Sequence, residues 1–216
     1  MISRVLTAAT ATVLLGISSA QVHPRLCSSP EVWEAQVREY NFGVGETITA
    51  FVAFDSINKR YYHRELITTQ NPGRKFYASL FLYNQHEFYK TDSVTGKCYK
   101  ARIPTNKAWR PFGVPENASF YQQINIGPPN AAVLANEYVI READHPNGFY
   151  YRGTFSAAEC VPIEEMTIKK EGLDISQSDI QSYYDTVLGI ANPNVFNVPV
   201  TCINATYSDY DTVKAL

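Results

Sequence analysis

The sequence predicts an all-β protein, built as an antiparallel sandwich or an incompletely closed barrel. Three observations carry this. Eleven short segments rich in Val, Ile, Tyr, Phe and Thr recur along the chain, separated by clusters of Gly, Pro and Asn. Strong helix signals are scarce. Aromatic residues are abundant, with 15 Tyr and 11 Phe against a charged fraction of 19%, which suits strands that present broad apolar faces. No internal repeat, low-complexity linker or composition break divides the chain, so a single domain over 21–216 with a short C-terminal tail is expected.

The elements follow in order. Residues 1–20 combine Arg4, an apolar run centred on Val13-Leu14-Leu15, and Ser18 and Ala20 at the small positions before Gln21. This is the pattern of a cleaved secretory signal peptide, too short and too rich in Thr and Ala for a membrane anchor. Strands are predicted at 33–40, 46–55, 60–67, 75–83, 86–91 and 97–103, then at 119–126, 132–141, 149–156, 161–169 and 182–189. Gly43-Val44-Gly45 reads as a turn, and so does Asp144-His145-Pro146-Asn147-Gly148, because Asn-Gly is a strong hairpin signal. Asn192 followed by Pro193 marks the N-cap and first position of a short helical turn.

Alternation assigns faces. In 46–55, Ile48, Ala50, Val52 and Phe54 share one side; in 75–83, Phe76, Ala78, Leu80 and Leu82 do, while Tyr77, Phe81 and Tyr83 make the opposite side apolar as well. In 132–141, Leu134, Tyr138 and Ile140 lie together with Asn136. Such faces ordinarily form a sandwich core, and the small residues Ala50, Ala78, Ser79 and Ala132 leave room for an apolar cavity instead. If Ser56-Ile57-Asn58-Lys59 is a four-residue loop, Asp55 stands opposite Arg60, Phe54 opposite Tyr61 and Val52 opposite His63. Asp55 then caps the turn and pairs with Arg60, whereas His63 and Glu65 join Val52 and Phe54 on the other face.

Charge is nearly balanced, with 19 basic and 21 acidic side chains and no Lys/Arg block, which argues against nucleic acid as a partner. No later segment approaches a membrane span. Cys27, Cys98, Cys160 and Cys202 form an even set in an exported chain, favouring two disulfides in one of three connectivities. Asn117-Ala118-Ser119 and Asn204-Ala205-Thr206 are glycan acceptor sequons. No hydrolase elbow, phosphate loop, dinucleotide fingerprint or zinc-protease motif occurs, and His23, His63, His86 and His145 show no ligand spacing. Calcium is possible, because dispersed carboxylates suffice for a hard cation. The candidates are Glu164-Glu165; Asp174, Asp179 and Asp185; and Asp209 with Asp211.

Several motifs, in order, resemble the ependymin-related family. They are Cys27-Ser-Ser-Pro-Glu-Val-Trp-Glu, Phe54-Asp-Ser-Ile-Asn-Lys-Arg60, Thr95-Gly-Lys-Cys98, Val114-Pro-Glu-Asn-Ala-Ser119, Glu159-Cys-Val-Pro162 and Leu188-Gly-Ile-Ala-Asn-Pro-Asn-Val-Phe196. The resemblance runs from about Cys27 to Cys202. It implies two stacked antiparallel sheets forming a half-open barrel with a deep apolar pocket, similar to bacterial lipoprotein carriers. It implies disulfides Cys27–Cys160 and Cys98–Cys202, glycosylation at Asn117 and less directly at Asn204, and no catalytic residues or enzyme activity. Some family members carry a third cysteine pair that this chain lacks. Members are secreted or lysosomal glycoproteins, often homodimeric, linked to lipid binding, calcium binding and cell–matrix adhesion.

The leading expectation is therefore a carrier of an amphipathic lipid or other hydrophobic ligand, with Ile48, Ala50, Val52, Phe54, Phe76, Ala78, Leu80, Leu82, Leu134, Tyr138 and Ile140 lining the pocket. His63 and His86 are candidates for tuning affinity between neutral and lysosomal pH. The alternative is a calcium-binding matrix glycoprotein acting in cell–matrix adhesion. Hydrolysis stands third.

Overall fold

The structure is a computed structural model that describes residues 24–43, 45–68, 74–141, 148–171 and 174–216. The leader at 1–20, His23, Val44 and the turn Asp144-His145-Pro146-Asn147 lie outside the described residues. Twelve strands are present: β1 Val32–Asn41, β2 Glu46–Asp55, β3 Arg60–Thr68, β4 Arg74–Leu82, β5 Glu87–Asp92, β6 Cys98–Arg102, β7 Ser119–Ile126, β8 Val133–Ile140, β9 Phe149–Ser156, β10 Pro162–Glu171, β11 Asp174–Leu188 and β12 Tyr207–Ser208. A five-residue helix, α1 Tyr210–Lys214, follows.

All twelve belong to one sheet, in the order β12-β6-β5-β4-β3-β2-β1-β11-β10-β9-β8-β7. The expected half-open, all-β architecture is present as one continuous sheet that is not closed. β1–β6 form one meander and β7–β11 another, and the antiparallel β1/β11 pair joins them. Every pairing is antiparallel except β12 alongside β6. The sheet curls toward the face that carries Trp33, Ala35 and Val37. Burial, then Glu165, and then the Tyr61 phenol push the Tyr183 hydroxyl well above its ordinary pKa. Tyr61 and Tyr183, three strands apart in the sheet, line the same cavity on that face.

The β2–β3 hairpin has the expected register, Asp55 opposite Arg60, Phe54 opposite Tyr61 and Val52 opposite His63. Asp55 holds its loop. The carboxylate accepts from Asn58 N at 2.9 Å, Asn58 Nδ2 at 2.8 Å and Arg60 Nε at 2.8 Å. Although burial opposes it, hydrogen bonds from Asn58 and Arg60 and the Arg60 charge lower the Asp55 pKa.

Each face of the sheet has its own cover. On the curled-in face, α1 packs Tyr210 and Val213 against Phe88 and Ala101. The opposite face carries Ala53, Leu80, Leu82 and Tyr89, covered by Phe196 and Cys202 from the tail. A 3₁₀ turn at Pro193–Phe196, capped by the Asn192 side chain on Asn194 N, presents Phe196 to that face. The Cys98–Cys202 disulfide fixes the tail there, and β12 then carries it past the β6 edge.

Candidate functional site

A cavity of about 350 Å³ lies on the curled-in face, over β11, β1, β2 and β3. Alternation makes its floor. Trp33 and Val37 of β1 point inward with Val52 and Phe54 of β2, because Trp33 pairs with Phe54 and Ala35 with Val52. The roof is the strap between β6 and β7. Trp109 stacks on Phe54 with centroids 4.9 Å apart and meets Tyr83 edge-on at 5.0 Å. Phe112 meets Trp33 edge-on at 5.2 Å and Tyr183 at 5.7 Å. Offset and edge contacts of this kind are the favoured ring geometries.

The strap is held from outside. Ser29 N donates to Phe112 O and Val114 N to Cys27 O, both at 3.1 Å. Between them Gly113 adopts φ +145°, and a Cβ there would sit 2.9 Å from Ser28 Cα, so only glycine fits this approach. The Cys27–Cys160 disulfide and the Ser29 hydroxyl donating to Cys160 O at 3.0 Å tie the same segment to the end of β9.

The other end of the cavity is polar. Gln181 Nε2 donates to Glu39 Oε2 at 3.0 Å, and the Tyr183 hydroxyl donates to Gln181 Oε1 at 2.8 Å. Behind them Glu165 accepts from Tyr151 at 2.7 Å, with the Tyr183 hydroxyl 3.2 Å from its second oxygen. Burial outweighs those bonds and raises the Glu165 pKa. Glu39 is pushed up to about 7, first by burial and then by the nearby Asp179 charge, with Glu65 and Glu46 adding to it and the Gln181 bond opposing. His63 Nδ1 lies 3.5 Å from Glu65 Oε2, and Lys90 Nζ lies 3.3 Å from Glu65 Oε1. Burial keeps His63 below its ordinary pKa despite Glu65, and Lys90 adds to the effect. Among the described residues, two buried side-chain polar atoms have no hydrogen-bond partner, Trp33 Nε1 and Asp179 Oδ1. Trp33 lines the aromatic end; Asp179 neighbours the polar one.

The sequence-derived lining is divided by this geometry. Val52 and Phe54 line the cavity, and Ile48 and Ala50 continue the same face. Phe76, Ala78, Leu80 and Leu82 lie on the opposite face, since Leu80 pairs with Tyr62 while Ser79 pairs with His63. The reason is that β4 is apolar on both sides, so period-two alternation leaves the choice of side open. Tyr138 and Ile140 are buried in a separate cluster with Tyr151 and Phe155, and Leu134 is exposed. His63 reaches the cavity. His86 sits in the β4–β5 turn at φ 54°, its N donating to Tyr83 O.

Glu39, Gln181, Tyr183, Trp109 and Phe112 were absent from the sequence-derived set. The one available signal was a pair of aromatics, Trp109 and Phe112, in a segment with no strand pattern.

Among the described residues no group of three or more His, Cys, Asp or Glu side chains could hold a metal ion. Of the acidic candidates for calcium, Glu165 accepts from Tyr151 and lies beside the Tyr183 hydroxyl, and Asp209 caps α1 through Thr212 N. Asp179 is buried, and Asp185 is exposed at φ 53°. Asn117 and Asn204 are both exposed. No helix among the described residues is long and apolar enough to cross a membrane.

The sequence profile of the ependymin family matches residues 71–202. The mammalian ependymin-related protein 1 of Mus musculus is 27% identical over 188 residues, covering 87% of this chain and 81% of the mouse protein. The protein of the same name from Rattus norvegicus is 27% identical over 191 residues, covering 88% and 82%. Among solved structures, an uncharacterized conserved protein from Thermus thermophilus superposes with a TM-score of 0.50 at 12% identity, over 82% of this chain and 90% of that one. At that identity the likeness is one of fold.

Proposed function

The chain belongs to the ependymin family, and from that premise we propose that it is an exported glycoprotein that carries an amphipathic lipid or other hydrophobic ligand under the Trp109–Phe112 strap. One observation carries the reading: a 350 Å³ cavity with an aromatic roof and floor and a polar end. That size falls at the lower end of the range for small-molecule sites. Each ligand methylene moved from water onto such rings contributes about 0.8 kcal/mol, so a single alkyl chain supplies useful affinity.

The side chains around the cavity are arranged to hold rather than to react. His63 and Ser79 are cross-strand neighbours, but Ser79 does not line the cavity and makes no hydrogen bond to His63 among the described residues. A nucleophile activated by a base needs that bond. Two disulfides and no free cysteine among the described residues suit an oxidising compartment. Glycans at the exposed Asn117 and Asn204 would register as a mass loss on glycosidase treatment.

The test is native mass spectrometry with organic extraction of the purified protein, before and after Val37→Trp. The wild type should yield a bound or exchangeable amphiphile. The variant, which fills the floor, should lose it while still unfolding cooperatively. A wild-type protein that neither retains nor takes up any apolar ligand overturns the reading. Calcium titration by calorimetry on the same sample reads the adhesion alternative independently.

A further inference from the structure

A single row of aromatic residues crosses five strands on the curled-in face. Trp33 of β1 pairs with Phe54 of β2, Phe54 with Tyr61 of β3, Tyr61 with Phe81 of β4, and Phe81 with Phe88 of β5. Directly opposed residues share a face. The cavity uses only the first three: Trp33, Phe54 and Tyr61 line it, whereas Phe81 and Phe88 do not.

The rest of the row lies under α1. Tyr210 and Val213, 8% and 1% exposed, pack with Phe88 and Ala101, and Phe81 and Tyr83 lie against the same cluster. Tyr210 meets Phe88 with ring centroids 5.5 Å apart, and Phe88 stacks on Phe81 at 4.4 Å. Phe81 in turn lies 5.8 Å from Tyr61 and 6.2 Å from Tyr83, both of which line the cavity. The rings therefore run without a break from the cavity to the helix. The strap covers one part of this apolar floor and α1 the other.

The hold on α1 is local and slight. Five residues are too few for a helix to persist without packing. Asp209 caps it, accepting from Thr212 N and Oγ1, both at 2.9 Å. Lys90 Nζ lies 3.4 Å from Lys214 O. Just before the helix the Tyr207 hydroxyl donates to Glu87 at 2.6 Å.

Resting on the carrier reading above, we propose that α1 is the end wall that sets how long a chain the site accepts, with Tyr210 the side chain that stops it. A chain laid along the row from Trp33 passes over Tyr61, reaches Phe81 and meets α1. Each methylene that still fits contributes about 0.8 kcal/mol, roughly fourfold in affinity. One that must turn back at Tyr210 contributes nothing.

The experiment is displacement of a neutral apolar fluorophore from delipidated protein by octanol, decanol, dodecanol and tetradecanol, each below its solubility limit. In the wild type, affinity should climb along the series and then level off. In Tyr210→Ala it should go on climbing past that point, by roughly fifteenfold for each further pair of methylenes. Asp209→Ala, which uncaps α1, reads the same break if the first variant does not fold. The gain should vanish when Val37→Trp is added to fill the cavity floor. A wild-type series with no break, a break unmoved in the folded variants, or a gain that survives Val37→Trp overturns this inference alone. If no alcohol displaces the fluorophore, the carrier reading fails and takes this inference with it.

Discussion

Replacing Glu39 by glutamine isolates the cost of keeping a carboxylate at the polar end of the cavity. The substitution preserves shape, and the new side-chain oxygen still accepts from Gln181. In the folded protein the Glu39 pKa is raised from 4.5 to about 7, so the fold favours its protonated form. Below pH 4.5 the group is protonated in folded and unfolded chains alike and costs nothing. As pH rises from 4.5 to 7 the unfolded chain ionises while the folded one resists, and stability is lost across that window. At about 1.36 kcal/mol per tenfold change in proton affinity the ceiling is about 3.4 kcal/mol. Residual solvent access through the cavity mouth reduces the expectation to roughly 1–2 kcal/mol. Denaturant unfolding of delipidated wild type and Glu39→Gln at pH 4.5 and pH 8 measures it. The two proteins should match at pH 4.5, and the variant should be the more stable at pH 8. A variant less stable than wild type at pH 8, or offset equally at both pH values, would refute the reasoning.

Three further substitutions probe other parts of the architecture. Asp55→Ala removes three hydrogen bonds from the β2–β3 loop and should lower stability by about 2–4 kcal/mol; a loss under about 1 kcal/mol in chemical unfolding means the loop is held by something else. Gly153→Ala places a Cβ into the Tyr151 hydroxyl and 2.7 Å from Phe155 Cε2. Tyr151 is held by Glu165, so the clash should cost about 3 kcal/mol, and a variant melting like wild type would contradict the packing at that seam. Trp109→Ala strips the roof from Phe54 and Tyr83 and should weaken an apolar fluorophore by about tenfold with little change in unfolding midpoint; unchanged affinity would place the binding site elsewhere.

Much of this architecture is legible in the residues themselves. Eleven strands announce themselves through β-branched and aromatic runs between turn residues, and the 56–59 loop length alone sets which residues face each other across β2 and β3. The N-terminal half of β11 escapes that reading for a physical reason. Gln177, Asp179 and Gln181 alternate without apolar side chains because their face meets Glu39 and Glu165 rather than a greasy core. Side choice on β4 escapes for another: both of its faces are covered, one by the tail stapled through Cys202, the other through Phe81 by the cluster that α1 completes. The polar end of the cavity is assembled from strands far apart in sequence, and no local pattern records that Glu39 meets Gln181. β12 and α1, at two and five residues, are too short to leave a periodic trace.

The β1/β11 seam also sets the order in which the molecule can be made. Each meander pairs strands that are neighbours in the chain, so either can zip up locally as it leaves the ribosome. The seam cannot: Val37 waits for Tyr183 and Glu39 for Gln181, and such distant pairings are the slow step of β-protein folding. The cavity straddles that seam. Until the last strands have been synthesised and have closed against the first, the chain has two half-built walls and nowhere to put a ligand.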